Sequence, residues 1–446
     1  MATPPSSVNL EPDLTQAKLL SDDELATSAL ATGFTPTAQE SAWLQQNHRK
    51  IRSLVFDRDF SDLAFLRQEL AGKRIVQLGE SSHGSREFNQ IKVRMVKFMH
   101  QELGYNVLAF ESSLIGCHLQ DQEYLARRSV PPRQACVFAV WATQELDELF
   151  RYIDSTQASS RPLRLAGFDW QESSTPYDNA ERVSNWLAPV LRQTNDAALQ
   201  NTGALIEAVF ALAQKGTACA SAPAAASCQA FLAEGARYEQ EMARLIQTFE
   251  PYRAQADDSQ RFVRNMAYLG LQSLQDRLLS LRARHLDPHS YQGRDPAMAR
   301  SISGLAKLAY PQEKIMVWAH NAHISRASQW GSAAGAPMGS YLAKEWQDQL
   351  FTIGLFMLRG ENANNFRNSM PVRLPPADSL EAYAHSLRLG ALYLPIPARD
   401  AAGDGDNWLH RPLNFMNWGM HLQLDRLDQH FDAAIVIDRS RIPAYN

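Results

Sequence analysis

From Arg74 to Asp438 the chain alternates between two patterns of apolar and polar positions. Short apolar runs recur at "RIVQLG" (74–79), "NVLAFES" (106–112), "LRLAGFDWQ" (163–171), "KIMVWAHNAHIS" (314–325), "LFTIGLFML" (350–358) and "FDAAIVID" (431–438). Runs this short, bounded by polar residues, read as buried strands. Between them lie longer stretches with apolar residues at helical spacing. "REFNQIKVRMVKFMHQELG" puts Phe88, Ile91, Met95, Phe98 and Met99 on one helical face, and Gly104 stands where a C-terminal cap belongs. Strand, helix and strand in succession predict parallel pairing with a right-handed crossover. The predicted fold class is α/β, a mostly parallel central sheet flanked by helices.

Residues 176–300 break the alternation. They are rich in Ala, Leu, Gln and Arg, carry no strand pattern, and pause only near Pro251. They read as a large all-helical insertion over the strand carboxyl ends, supplying core or a wall over a cleft. The expected organisation is a poorly ordered leader over 1–40, with one short helix near "DDELATSAL". A first part of the α/β core follows over 41–175, the helical insertion over 176–293, and the second part of the core over 294–446.

Composition adds exclusions. The 446 residues are 45% hydrophobic with a net charge of −4, which gives no electrostatic reason to expect nucleic acid or an anionic membrane as partner. No apolar run reaches the length of a transmembrane helix. The start "MATPPSSVNLEPDL" lacks the basic and apolar regions of a signal peptide, so the chain as written reads as cytoplasmic; a trimmed signal would make it periplasmic or secreted. Oligomeric state is not legible. The four cysteines form no CxxC pair. Cys219 and Cys228 bracket a small-residue loop and are either a disulfide, which would indicate an oxidising compartment, or two free thiols.

The polar ends of the strands carry the candidate chemistry. In an open parallel sheet, ligands bind beyond the carboxyl ends of the strands. The first strand ends in Glu80 and His83, the second in Glu111, the third in Asp169, and the fourth in His320 and His323. Each alone is ordinary: a capping carboxylate, or a hydrogen-bonded structural histidine. Together they place costly groups at the ends of several buried strands. Two chemistries fit. A histidine kept basic by carboxylates takes a proton from water that attacks a carbonyl, with a nearby Lys or Arg steadying the oxyanion. Alternatively Glu80, His83, Glu111, His320 and His323 hold a divalent metal that activates the water. No HExxH helix, G-x-S-x-G elbow or GxxxxGK[ST] loop is present. Ser81, Ser82, Ser112 and Ser113 read as hydrogen-bonding support, and nothing beside Cys117 argues for a reactive thiol.

"LGESSHGSREFNQIKVRMVKFM" followed by "LGYNVLAFESS" resembles the opening signature of the erythromycin esterase family. "VWATQELDELFRYI", "LRLAGFDWQ", "GRDPAMARSI", "VWAHNAHIS" and "FDAAIVIDRS" resemble its later segments, in order, over about residues 45–440. The resemblance implies a hydrolase of carboxylic esters or macrolactones, with no cofactor expected and a divalent metal as the variant. His83 would be the general base, Glu80 and Glu111 would orient and charge-balance it, and His320 and His323 would hold substrate, polarise the carbonyl or protonate the leaving alkoxide. Lys92 stands where the family usually has arginine. A compact ammonium there replaces a bidentate fork. Lys92, Arg294 and Asp169 are the expected substrate-binding residues, and Arg294 with Asp295 forms either a cleft wall or a structural ion pair. The expected partner is a small-molecule ester or lactone. The rivals are a metal-dependent hydrolase on the same cluster, a hydrolase of acyl groups on polysaccharide or secondary metabolites, and a non-catalytic ligand-binding protein.

Overall fold

The structure is a computed structural model that describes residues 35–446 apart from 57, 128–135, 174–176, 220–225, 287–292, 328–334 and 400–406. The leader up to residue 34, with its expected short helix, lies outside the described residues. Strands are β1 (Arg49–Lys50), β2 (Ile75–Leu78), β3 (Tyr105–Ser113), β4 (Arg164–Asp169), β5 (Lys314–Trp318), β6 (Leu350–Ala363), β7 (Ser369–Pro371), β8 (Ala391–Pro395), β9 (Leu413–Asn417), β10 (His421–Asp425) and β11 (Ala433–Ser440). The main sheet has the order β1-β8-β11-β6-β2-β5-β3-β4, with β7 paired to β6. Every neighbouring pair from β11 to β4 is parallel, whereas β8 is antiparallel to β11 and β1 to β8. This is an α/β fold with a mostly parallel central sheet.

The expected pairing of β2 with β3 needs one correction. The two are parallel, but β5 lies between them and pairs with both. The chain returns from the helical stretch to fill the gap, a long-range event that local pattern does not register.

Alternation along the strands sends side chains to two cores. Val76, Leu78, Leu108, Phe110, Met316 and Trp318 face the core that takes in helix Arg86–Leu103. That helix buries Phe88, Ile91, Met95, Phe98 and Met99 completely and ends on Gly104 at φ +74, a left-handed cap. Ile75, Val107, Ala109, Ile315 and Val317 face the other core, shared with helices Ala180–Arg192, Gly203–Cys219, Ala226–Ala254 and Asp258–Leu286. Helix Asp258–Leu286 runs along the sheet. Its Asn265 donates to the Leu308 carbonyl ahead of β5 at 2.7 Å, and its Arg277 pairs with Glu172 just past the end of β4. Among the described residues no helix is long and apolar enough to cross a membrane.

Disulfides join Cys117 to Cys136 and Cys219 to Cys228. The Cys219–Cys228 alternative therefore resolves to the bonded form. Cys117 has no free thiol for chemistry and instead ties helix Leu114–Arg127 to the segment leading into Trp141.

One buried acid makes stability depend on pH. Glu381 is completely buried in helix Leu380–Ser386; one oxygen accepts the Met416 N–H at 2.8 Å, and the other has no hydrogen-bond partner among the described residues apart from the weak influence of Ser379. Burial pushes this carboxyl up to about 7, only partly opposed by hydrogen bonds from the backbone and from Ser379. The folded chain therefore holds a proton that the unfolded chain releases near pH 4.5. The contribution is intact below that value and is lost as pH rises through about 7, on the order of 3 kcal/mol in all. Glu381→Gln, which imitates the protonated acid, is expected to be the more stable form at pH 8 and no different at pH 4. Urea unfolding midpoints across that range check this, and parallel pH slopes in the two proteins would refute it.

Candidate active site

β2, β5, β3 and β4 are consecutive in the sheet, so the groups at their carboxyl ends share one rim. After β2 the backbone turns sharply. A Cβ on Gly84 would sit 2.0 Å from the Ala363 carbonyl oxygen, so only glycine lets the turn pack against β6. Asn321 fixes the turn after β5: its N–H donates to the Glu80 carbonyl at 2.8 Å, and its side chain bonds both backbone groups of Leu355.

His83 Nδ1 lies 2.6 Å from Glu80 Oε1. The same oxygen accepts the Trp141 indole N–H at 2.9 Å, and the other accepts the Lys92 ammonium at 2.7 Å. Burial alone would raise the Glu80 carboxyl. Lys92 and His83 outweigh it and hold the group below its usual range, so it is ionised at neutral pH. An ionised Glu80 requires a proton on His83 Nδ1, which leaves Nε2 as the basic nitrogen. Nε2 has no hydrogen-bond partner among the described residues, and the side chain is 11% exposed. No serine hydroxyl among the described residues bonds this ring: Ser82 Oγ donates to Asn362 and Ser113 Oγ to Asp178.

The His320 ring lies 5.1 Å from that of His83, centroid to centroid. Its Nδ1 accepts the Ala322 N–H at 3.1 Å, so the neutral ring carries its proton on Nε2. Burial, then the neighbouring His83, holds His320 well below the usual histidine range despite the pull of Glu111, and the ring is neutral. Nε2 is buried without a hydrogen-bond partner among the described residues. The Ser81 carbonyl, which favours protonation weakly, already accepts the Trp418 N–H at 2.7 Å.

Glu111 is the hub of the second half. Oε2 accepts the His320 backbone N–H at 2.9 Å, and Oε1 accepts Arg294 Nη2 at 2.9 Å and lies 3.2 Å from His323 Nε2. His323 Nδ1 is 2.8 Å from Asp295. Burial opposes a charge on His323, but Asp295 and Glu111 lift it to about 10, so both ring nitrogens carry protons and donate to these carboxylates. Arg294 Nη1, 3.2 Å from His323 Nε2, is then a like-charge neighbour rather than a donor; Asp169, accepting Nε and Nη2 at 3.0 and 2.6 Å, absorbs its charge. Burial would raise Glu111 as well, yet His323 and Arg294 keep it well below the ordinary value.

The rim thus gathers Glu80, His83, Glu111, His320, His323, Arg294 and Asp169. Lys92 and Asp169, expected to touch substrate, are completely buried. Lys92 lies beneath the site, against Glu80 and 4.1 Å from the centre of the Trp318 ring; burial draws it down to about 8 although Glu80 favours the charge. Asp169 is spent on Arg294. Both side chains are thus turned to charged neighbours rather than to open space. A metal fits the cluster poorly, because its carboxylates are already matched by Lys92, Arg294 and protonated His323. No group of three or more His, Cys, Asp or Glu among the described residues is arranged to hold an ion.

Sequence reasoning missed three parts of the site. Asp295 reads from the sequence as a companion of Arg294, in a cleft wall or an ion pair, whereas its hydrogen bonds are to His323 and the Met338 N–H. Trp141 and Trp418 meet the His83 ring edge to face at 4.9 and 5.3 Å. For Trp418 the available signal was "NWG", a bulky residue in a glycine turn.

Comparison with known proteins fits this architecture. The chain is 28% identical over 440 residues to "Putative hydrolase YbfO" of Bacillus subtilis (strain 168), covering 93% of this chain and 94% of that one. It is 21% identical over 333 residues to "Erythromycin esterase type II" of Escherichia coli, covering 72% and 78%. A crystal structure of a Bacillus cereus protein superposes with a TM-score of 0.79 at 18% identity, covering 92% of this chain and all of the other. The erythromycin esterase family model matches residues 100–440, a range that holds Glu111, Asp169, Arg294, His320 and His323 and begins after Glu80 and His83. With the match spanning most of the sheet and its rim, the chain belongs to the erythromycin esterase family.

Proposed function

We propose that the chain hydrolyses carboxylic esters or lactones, with His83 as general base on water. The observation that carries this reading is the Glu80–His83 pair, whose unpartnered Nε2 stands across from the neutral ring of His320. Water on Nε2 gives up a proton to His83 as its oxygen attacks the ester carbonyl. His320 Nε2–H donates to the developing oxyanion, and the fixed charges of Arg294 and protonated His323 lower its energy. When the tetrahedral intermediate collapses, the His83 imidazolium returns its proton to the leaving alkoxide. An acid and an alcohol result, and His83 is neutral again. At about 10, His323 is too weak an acid to be the main proton source near pH 7, so its contribution is electrostatic.

The relative named an erythromycin esterase makes macrolactones one candidate class, and simple esters and acylated sugars are the others. Mass spectrometry of such a panel, incubated with the protein, is expected to find products heavier than substrate by one water. A panel left intact by well-folded protein would remove the hydrolase reading. The two disulfides favour an oxidising compartment as the place of action.

Glu111→Gln is expected to slow turnover about 10²-fold. The amide cannot balance Arg294 and His323 and cannot accept all three donors. If rate and pH profile were both untouched, Glu111 would be a structural partner only.

A further inference from the structure

The turn between β9 and β10 is built at a cost that the fold does not explain. Met420 N–H donates to the Asn417 carbonyl at 3.0 Å, closing a turn whose central residues, Trp418 and Gly419, have φ +56 and +64. A turn with both central residues left-handed favours Asn-Gly, because a bulky side chain at positive φ is strained. Such strain at a functional site points to a use for the side chain. Here the indole lies on the His320 ring, with centroids 4.2 Å apart and planes inclined by 23°. It also approaches His83 edge-on, and the backbone N–H of Trp418 donates to the Ser81 carbonyl, between Glu80 and His83 in the chain.

We propose that Trp418 is a positioning residue for His320: its stack sets the imidazole plane and shuts one face from water, so that Nε2–H stays directed at the reacting carbonyl. The inference rests on the hydrolase reading for its kinetic consequence and on geometry alone for the stack. The rest of the ring's fixing is weak. Nδ1 holds one backbone N–H at 3.1 Å, and beyond a weak pull from the Ser81 carbonyl Nε2 has no hydrogen-bond partner among the described residues. Without the indole the ring would swing and hydrate.

The test uses Trp418→Asn, which supplies the residue the turn prefers and removes the stack, and Trp418→Phe, which keeps an aromatic face. A structural role and a positioning role then predict opposite results. The Asn variant is expected to keep or raise Tm while kcat falls about 10-fold or more and KM changes little; the Phe variant is expected to recover most of kcat. In the NMR spectrum of the full chain, the His320 ring protons are expected upfield in the wild type and unshifted in the Asn variant. Wild-type kcat in the Asn variant would overturn the proposal, as would a kcat loss that tracks a falling Tm. If no ester is hydrolysed, the hydrolase reading falls separately, and the His320 shift still decides the stack: no upfield shift in the wild type means no stack.

Discussion

His83→Ala is expected to lower kcat by at least about 10²-fold on any substrate the wild type hydrolyses, the usual scale for a lost general base. The fold is expected to survive. Among the described residues the ring makes a single hydrogen bond, to Glu80 Oε1, and that oxygen keeps the Trp141 N–H when the ring is gone. Lys92 still neutralises the carboxylate at 2.7 Å. No buried charge is stranded, so the stability loss is that of one hydrogen bond and some packing, about 1–2 kcal/mol. Activity and stability therefore separate, as they should for a residue whose use lies in its free nitrogen. Steady-state kinetics beside thermal melts give the answer, and added imidazole is expected to restore part of the lost rate by filling the space. A variant that turns over within threefold of the wild type would take His83 out of the mechanism.

Glu80 and His83 call for different chemistry from the Glu111 side, and the two halves differ in how legible they were. The strand termini were readable because a buried strand that ends in a charge has few structural excuses. Four such strands are enough to single out Glu80, His83, Glu111, Asp169, His320 and His323 from the sequence alone. Their pairings were not readable. Whether Asp295 serves Arg294 or His323 depends on how helix Arg294–Gly304 meets the turn after β5, and sequence spacing carries no record of that angle. Lys92 shows the same limit. Its position nine residues after His83 suggested substrate contact, but helix Arg86–Leu103 turns it under the site, where Glu80 and Trp318 enclose it. The sheet order had a related blind spot, since β5 enters between β2 and β3 only after the long helical stretch. The β9–β10 hairpin was missed because its strands are short and its turn carries tryptophan where pattern rules look for asparagine.

Arg294 is the residue on which the second half of the site depends, and Arg294→Met is expected to cost about 3–5 kcal/mol, the range for breaking a buried ion pair from one side. Its guanidinium holds Asp169, which is completely buried, and Glu111, whose side chain is 4% exposed. Methionine fills much of the volume but leaves Asp169 with only the Gln171 N–H, at 3.1 Å, as a hydrogen-bond partner among the described residues. Glu111 would keep protonated His323, yet that imidazolium must already satisfy Asp295. The loss should shrink as pH falls. In the wild type the depressed Glu111 contributes stability that is present above about pH 4.5 and fades as the carboxylate is protonated. Below that pH the variant has less charge to strand, so the gap between the two proteins narrows. Urea titrations from about pH 2.5 to 8 measure it, and combining Arg294→Met with Asp169→Asn should recover part of the stability, since the second change removes the charge the first one stranded. Activity is not expected to return with it, because the oxyanion would still lack its guanidinium. A gap that stayed constant across the pH range, or a double variant weaker than the sum of its parts, would mean that Arg294 acts through packing rather than charge.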